Sequence, residues 1–179
     1  MIQTEQELID KAKGADRQAF DELVRQNKDK MFALTYRMTG DRETALDLVQ
    51  ETFLTAYREL TNFRGESSFS SWLYRIASNK TINFLRRKKL LSFVPLANMG
   101  SSEPSYELSD NIDNSAISSA ASGAIKALPP NQRLVFNLRF YEEMSFPEIA
   151  RILNKHESTV KTNYQKAVEK LQKSMKQYR

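Results

Sequence analysis

Arg75, Asn79, Asn83 and Arg86 step by four, four and three residues, and Arg87, Lys88 and Lys89 follow directly. On a helix these side chains share one face, and their types suit nucleic acid: Arg and Lys bind phosphate, Asn and Arg bind base edges. Just upstream, the Gly-containing stretch Phe63 to Ser68 leads into Phe69 and Trp72. An aromatic ring beside such a loop could receive an unstacked base. The same residues also describe a solvated amphipathic helix with Trp72 in its core, and on residue type alone both readings stand. A second set lies near the C-terminus, where Ser158, Thr159, Lys161, Thr162, Gln165 and Lys166 fall on the outer side of the last apolar-periodic segment. Gln can pair with adenine and Lys can reach guanine N7 or O6. Its plainer counterpart is a helical hairpin with a lysine-rich final helix, since Lys170, Lys173 and Lys176 continue the stripe. Catalytic chemistry finds no such footing. Zero cysteines exclude thiolate metal sites and disulfides, the single histidine, His156, falls in a turn, and no paired carboxylates or nucleophile with a base can be placed. Neither cofactor nor metal is expected.

The elements that would position these sets are all helical. Leu8, Ile9 and Ala12 mark a short helix from Glu5 to Ala12. After Gly14 to Asp16, with Asp16 as N-cap, Phe20, Leu23, Val24, Met31, Leu34 and Met38 mark a longer one reaching Thr39, interrupted in pattern by Asn27. Gly40 ends it and Asp41 caps a third helix to Leu60, with Ala45, Leu48, Val49, Phe53, Ala56, Tyr57 and Leu60 inward and Asp47, Gln50, Glu51 and Leu54 outward. The fourth buries Phe69, Trp72, Leu73, Ile76, Ala77, Phe84 and Leu85. From Leu90 to Ser115 the pattern breaks into Pro, Gly, Ser and Asn, after an apolar cluster of Leu90, Leu91, Phe93, Val94 and Leu96. Order resumes with the stripe Ile117, Ala120, Ala121, Ala124, Ile125 and Leu128, whose other side, Ser118, Ser119, Ser122 and Gly123, is uncharged. Pro129 and Pro130 open a mostly buried helix in which Leu134, Val135, Leu138 and Tyr141 face one way and Phe136 and Phe140 another. Ser145 to Glu148 reads as a capping box, with Phe146, Ile149, Ala150 and Leu153 inward. After a turn at 154–157 the last helix places Val160, Tyr164, Ala167, Leu171 and Met175 inward. Two short helices joined by a tight turn, the second with a basic outer face, describe a helix-turn-helix. The expected fold is all-α: two small helical domains, 1–90 and 116–179, joined by a flexible linker, 91–115.

Charge is unevenly spread over the 179 residues. Residues 61–93 carry 7 Lys and Arg against 1 acidic residue, and 154–179 carry 7 against 2; between them 94–115 carry 4 acidic residues and no basic one. Two separated basic footprints suit a polyanion contacted at two places. Residues 1–60 are net acidic, 9 against 12. An acidic, partly apolar helix face would repel DNA, so a protein partner is its natural occupant; a merely solvated face is the bland reading. No apolar run nears the roughly 20 residues needed to span a bilayer, and the N-terminus lacks a signal-peptide pattern, so no membrane insertion and a cytoplasmic location are expected.

FRGESSFSSWLYRIASN resembles the promoter-melting segment of bacterial sigma factors of the extracytoplasmic-function (ECF) group of the sigma-70 family. DRETALDLVQETFLTAY is similar to the segment of those factors that docks on the clamp helices of RNA polymerase, and the stretch from Leu128 to Gln172 to their promoter-binding C-terminal domain. The resemblance implies a factor that directs core RNA polymerase to promoters and assists melting, as an alternative, stress- or envelope-responsive factor, while the polymerase does the chemistry. It assigns docking to Asp47, Gln50, Glu51 and Leu54. It assigns the melted −10 element to Phe63, Arg64, Ser67, Ser68, Phe69, Trp72, Arg75, Asn79, Lys80, Asn83, Arg86 and Arg87, and the −35 element to Ser158, Thr159, Lys161, Thr162, Gln165 and Lys166. Its partners would be core polymerase, promoter DNA and an anti-sigma protein, for which the neutral helix at 116–128 and the cluster at 90–96 are candidate sites. His156 and Ser158 stand where the family often has Ser or Pro and Gly, and Lys161, Gln165 and Lys166 replace a more Arg-rich set, so base preference is expected to differ. A stand-alone helix-turn-helix regulator is the competing reading.

Overall fold

The computed structural model describes residues 4–92 and 115–176, with the side chains of 92 and 115–119 outside that description. These residues form eight α-helices: α1 (Glu5–Lys13), α2 (Arg17–Thr39), α3 (Arg42–Glu59), α4 (Phe69–Ser92), α5 (Ser115–Lys126), α6 (Pro130–Phe140), α7 (Phe146–Leu153) and α8 (Glu157–Met175). A 3-10 turn at Leu60–Asn62 follows α3.

Local chemistry sets the boundaries. Thr4 and Glu7 close a reciprocal capping box at the start of α1. The Asp16 carboxylate accepts the Ala19 amide at 3.2 Å and starts α2, and Gly40 ends it at φ 71°. A left-handed residue there favours glycine, and any Cβ would also meet the Lys126 side chain at 3.2 Å. Asp41 accepts the Thr44 amide at 2.7 Å and starts α3; these hydrogen bonds from Thr44 hold its carboxyl below the usual range. Helix α4 runs two residues past the expected break, to Ser92, and leaves Leu90 and Leu91 exposed. Phe93, Val94, Leu96 and most of the expected linker lie outside the described residues.

Helices α1 to α4 pack as a bundle, α6 and α7 pack on α8, and α5 lies along α8. One buried cluster joins the two helical units. It runs from Leu8, Leu23, Leu34 and Met38 through Phe69, Leu73 and Tyr74 to Leu134, Leu138, Ile149 and Val160. At about 1.5–3 kcal/mol for each large side chain buried, this shared core dominates the stability of the assembly. Leu128, Phe136 and Ala167 form a second, small cluster.

Polar contacts reinforce the junction. The Glu142 carboxylate, after α6, accepts from Arg37 Nη1 of α2 at 2.8 Å and from the Tyr74 hydroxyl of α4. Burial, aided by Glu142, pushes the Tyr74 phenol far above its usual range, so it remains a donor. Arg133 of α6 donates to the Met38 carbonyl at 2.6 Å.

Several inward positions turn out differently. Tyr57 is 49% exposed, its ring edge-on to Phe20 at 4.9 Å. Tyr141 is 41% exposed and carries the Arg37 guanidinium 4.2 Å over its ring, a cation–π contact that the apolar pattern could not reveal. Asn27 breaks the pattern of α2 yet is buried, because its amide donates to the Leu23 carbonyl at 2.9 Å.

Candidate nucleic-acid interface

The loop before α4 rests on three rings. Phe63 and Phe69 meet edge-on at 5.9 Å, and Trp72 tilts against both, at 4.9 and 5.7 Å. Phe69 is completely buried and Phe63 nearly so, whereas Trp72 keeps part of its surface. Phe63 and Phe69, both assigned to the melted strand, are buried: packed edge-to-face with each other and tilted against Trp72, they lie in the floor of the loop. Arg64, Ser67 and Ser68 are exposed above it. Gly65 takes φ 71°, and no atom lies within 4 Å of where its Cβ would be, so the loop's turn needs glycine for its backbone and not for space.

Both ends of this loop are tied down. Ser68 Oγ accepts the Ser71 amide at 3.1 Å, capping α4. Glu5 Oε1 accepts the Phe69 amide at 3.1 Å, and Lys13 Nζ donates to the Phe63 carbonyl at 2.6 Å. Glu5 and Lys13 were not anticipated; at 64 and 50 residues from their partners, no local spacing signals them.

Along α4, Arg75, Asn79, Asn83, Arg86 and Arg87 are all exposed, as the four-four-three spacing requires. The neighbouring strip, Tyr74, Ala77, Ser78 and Thr81, is buried. Lys80 is less open than expected: it lies 3.4 Å from Glu51 of α3, with 26% of its side chain exposed against 59% for Glu51. The contact links one residue assigned to DNA with another assigned to polymerase. On α3, Asp47, Gln50, Glu51 and Leu54 are exposed together, and Leu46, 48% exposed, adds a second apolar side chain. Acidic, amide and leucine side chains share this face, which suits a mixed polar and apolar protein contact better than a purely solvated one.

In the C-terminal unit the set assigned to the −35 element lies on α8. Ser145 and Glu148 form the reciprocal capping box that starts α7, and those hydrogen bonds hold the Glu148 carboxyl below its usual range. Asn154, left-handed at φ 50°, ends α7 and lets α8 turn away. Val160 and Ala167 anchor α8 inward, and Ser158, Thr159, Lys161, Thr162, Gln165 and Lys166 are all exposed. Lys161 pairs with Glu157 one turn back at 2.6 Å, while Thr162 donates to the Ser158 carbonyl at 2.8 Å. Two base-reading candidates therefore have intrahelical partners to give up on binding. On α5, Ser122 and Gly123 are exposed, and Ser118 and Ser119 lie outside the described side chains.

Among the described residues, no three His, Cys, Asp or Glu side chains converge as a metal site would require. Nor is any described helix long and apolar enough to cross a membrane.

The family model for sigma-70 region 2 matches residues 23–90, and that for sigma-70 region 4 matches 120–171. The ECF RNA polymerase sigma factor SigW of Bacillus subtilis is 35% identical over 94% of this chain and 95% of its own. The chain belongs to the sigma-70 family, in its ECF group. A second relative of this sigma factor, the RNA polymerase sigma-H factor of Pseudomonas aeruginosa, is 32% identical over 96% of this chain and 93% of its own. The fold agrees with the solved sigma factor RpoE of Bartonella quintana, crystallised with the anti-sigma factor NepR. Its TM-score is 0.71 at 20% identity, covering 88% of this chain and 96% of that one. As a sigma factor the protein directs RNA polymerase to promoters in transcription initiation, with α4 in its region 2 and the helix-turn-helix in its region 4. Family membership displaces the reading as a stand-alone regulator. Helix α1 precedes the region 2 match.

Proposed function

We propose that this sigma factor divides promoter recognition between its two exposed basic faces, α8 holding duplex −35 DNA and α4 with its preceding loop trapping the melted −10 strand. The observation that carries the division is the difference between the two sites. The α8 set is a continuous exposed row on the second helix of a helix-turn-helix, the geometry that enters a major groove. The α4 set lies beside a half-buried tryptophan and an open, Gly-hinged loop, which suits a single strand. Unpairing a base costs a few kcal/mol, and a pocket offering stacking and edge hydrogen bonds offsets it. Trp72 supplies the stacking surface, Arg64, Ser67 and Ser68 the loop contacts, and Arg75, Asn79, Lys80, Asn83, Arg86 and Arg87 hold the strand and adjoining duplex. Phe63 and Phe69 support them from below.

The α3 face of Asp47, Gln50, Glu51 and Leu54, joined by Leu46, is the docking surface for the polymerase clamp helices. The factor itself is not an enzyme and works in the cytoplasm, where the polymerase is. An anti-sigma partner, as crystallised with the Bartonella factor, would find exposed apolar surface at Leu90 and Leu91 and a neutral one at Ser122 and Gly123.

Promoter binding and opening by the holoenzyme test the division. Lys161→Ala should weaken binding to upstream duplex, and Trp72→Ala should leave that intact and impair opening. The same defect from both would remove it. Reversing Asp47 and Glu51 to Lys should abolish co-purification with core polymerase; undiminished co-purification would place docking elsewhere.

A further inference from the structure

We infer that α1, which lies outside the region 2 match, sets the sigma factor's capture of the single strand through two positioning residues, Glu5 and Lys13, that brace the −10 loop at its two ends. The inference rests on the proposed role of that loop. Helix α1 is a fixed post: Leu8, Ile9 and Ala12 are buried at 1, 2 and 5% exposure, and a capping box holds its first turn. Nine helical residues span about 13 Å, and Glu5 and Lys13 stand at opposite ends of that length. Their bonds fall on opposite ends of the loop, Lys13 on the Phe63 carbonyl and Glu5 on the Phe69 amide. Lys13 also stands 5.8 Å from the centre of the Phe63 ring, the floor on which Trp72 rests.

Glu5 does a second job at the same point. The first amides of α4 have no intrahelical acceptor; Ser68 takes that of Ser71, and Glu5 takes that of Phe69. The cap of α4 is thus shared between a local serine and a carboxylate from another helix. Between these two fixed points, Arg64 to Ser68 is exposed, and Gly65 has open space around it. A loop with mobile ends would lose that freedom on seizing a base, whereas one braced at both ends has already lost it. Glu5 and Lys13 touch no DNA in this scheme; they act through backbone groups at the borders of the segment that does.

The test uses full-length sigma factor assembled with core polymerase and two labelled probes, each selected from a random pool on the wild-type holoenzyme: a short single-stranded DNA and a duplex. Glu5→Ala and Lys13→Met should each weaken single-strand binding about three- to tenfold, the span of one lost hydrogen bond. Glu5→Gln keeps an acceptor and Lys13→Arg a donor, so both should bind as wild type. Duplex binding and association with core should stay within about twofold throughout. Unchanged single-strand affinity in both Glu5→Ala and Lys13→Met overturns the inference. So does an equal loss on the duplex, which would mark α1 as a general stabiliser. Trp72→Ala serves as the control for the loop: if it leaves single-strand binding intact, the loop captures no strand, and the proposed division fails and takes this inference with it.

Discussion

Glu142→Ala removes the carboxylate on which two bonds between the helical units converge, from Arg37 Nη1 at 2.8 Å and from the Tyr74 hydroxyl. The Glu142 side chain is 13% exposed and that of Arg37 30%, so water replaces only part of what is lost. Hydrogen bonds to charged groups contribute about 1.5–3 kcal/mol each. Discounting the Arg37 bond for its exposure leaves about 2–4 kcal/mol for the two. That is a shift of roughly 30- to 1,000-fold in the equilibrium between docked and separated units. Tyr74→Phe keeps the ring packed and the Arg37 pair intact, and should cost about 1.5–3 kcal/mol, most of the total. Small-angle scattering, with fluorescence transfer between labels on α3 and α8, reports separation directly, and far-ultraviolet dichroism checks that both units stay helical. Unchanged dimensions for Glu142→Ala under moderate urea, where the wild type is still docked, would refute the reasoning. The buried apolar cluster alone would then hold the junction.

Other outcomes follow from single sites. Phe69→Ala empties a completely buried ring position beneath the loop and should cost about 3–5 kcal/mol by denaturant titration. Gly65→Ala places a Cβ at φ 71° in open space, so the penalty is conformational, about 1 kcal/mol, with loop cleavage by protease as the sensitive readout. Asp41 and Glu148 have carboxyls held below their ordinary values of 3.8 and 4.5, so the stability they add is present above those values and lost as pH falls through the lowered ones. Thermal melts should therefore decline below about pH 4.5, and Glu148→Gln should flatten part of that slope.

Whatever is decided within one helical turn could be read from the chain itself. Asp16, Gly40 and Asp41 act on amides and carbonyls a few residues away, as do Ser145 and Glu148, and their positions follow from residue type. The same holds for the rows on α4 and α8, where helical spacing alone decides which side chains share a face. What escaped is what distant chain supplies. Tyr74, Ser78 and Thr81 look like the polar shoulder of an amphipathic helix, yet they are buried. Tyr74 is buried where a carboxylate 68 residues away meets its hydroxyl. Tyr141 looks apolar and inward, and instead carries an arginine from α2. Phe63, Phe69 and Trp72 are equivalent by type, and only packing shows that two form a floor and the third has a free surface.

The contact between Lys80 and Glu51 has a thermodynamic side. It joins the face proposed for polymerase to the face proposed for DNA, and each partner already has the other as counter-ion at 3.4 Å. When polymerase engages Glu51, Lys80 is released to meet a phosphate; when a phosphate takes Lys80, Glu51 is freed for polymerase. The two affinities are then linked, and linkage is reciprocal: whatever factor one ligand adds to the other's binding, it receives back unchanged. For a pair this exposed the factor is at most about fivefold, from about 1 kcal/mol. Lys80→Met should erase it from both titrations at once.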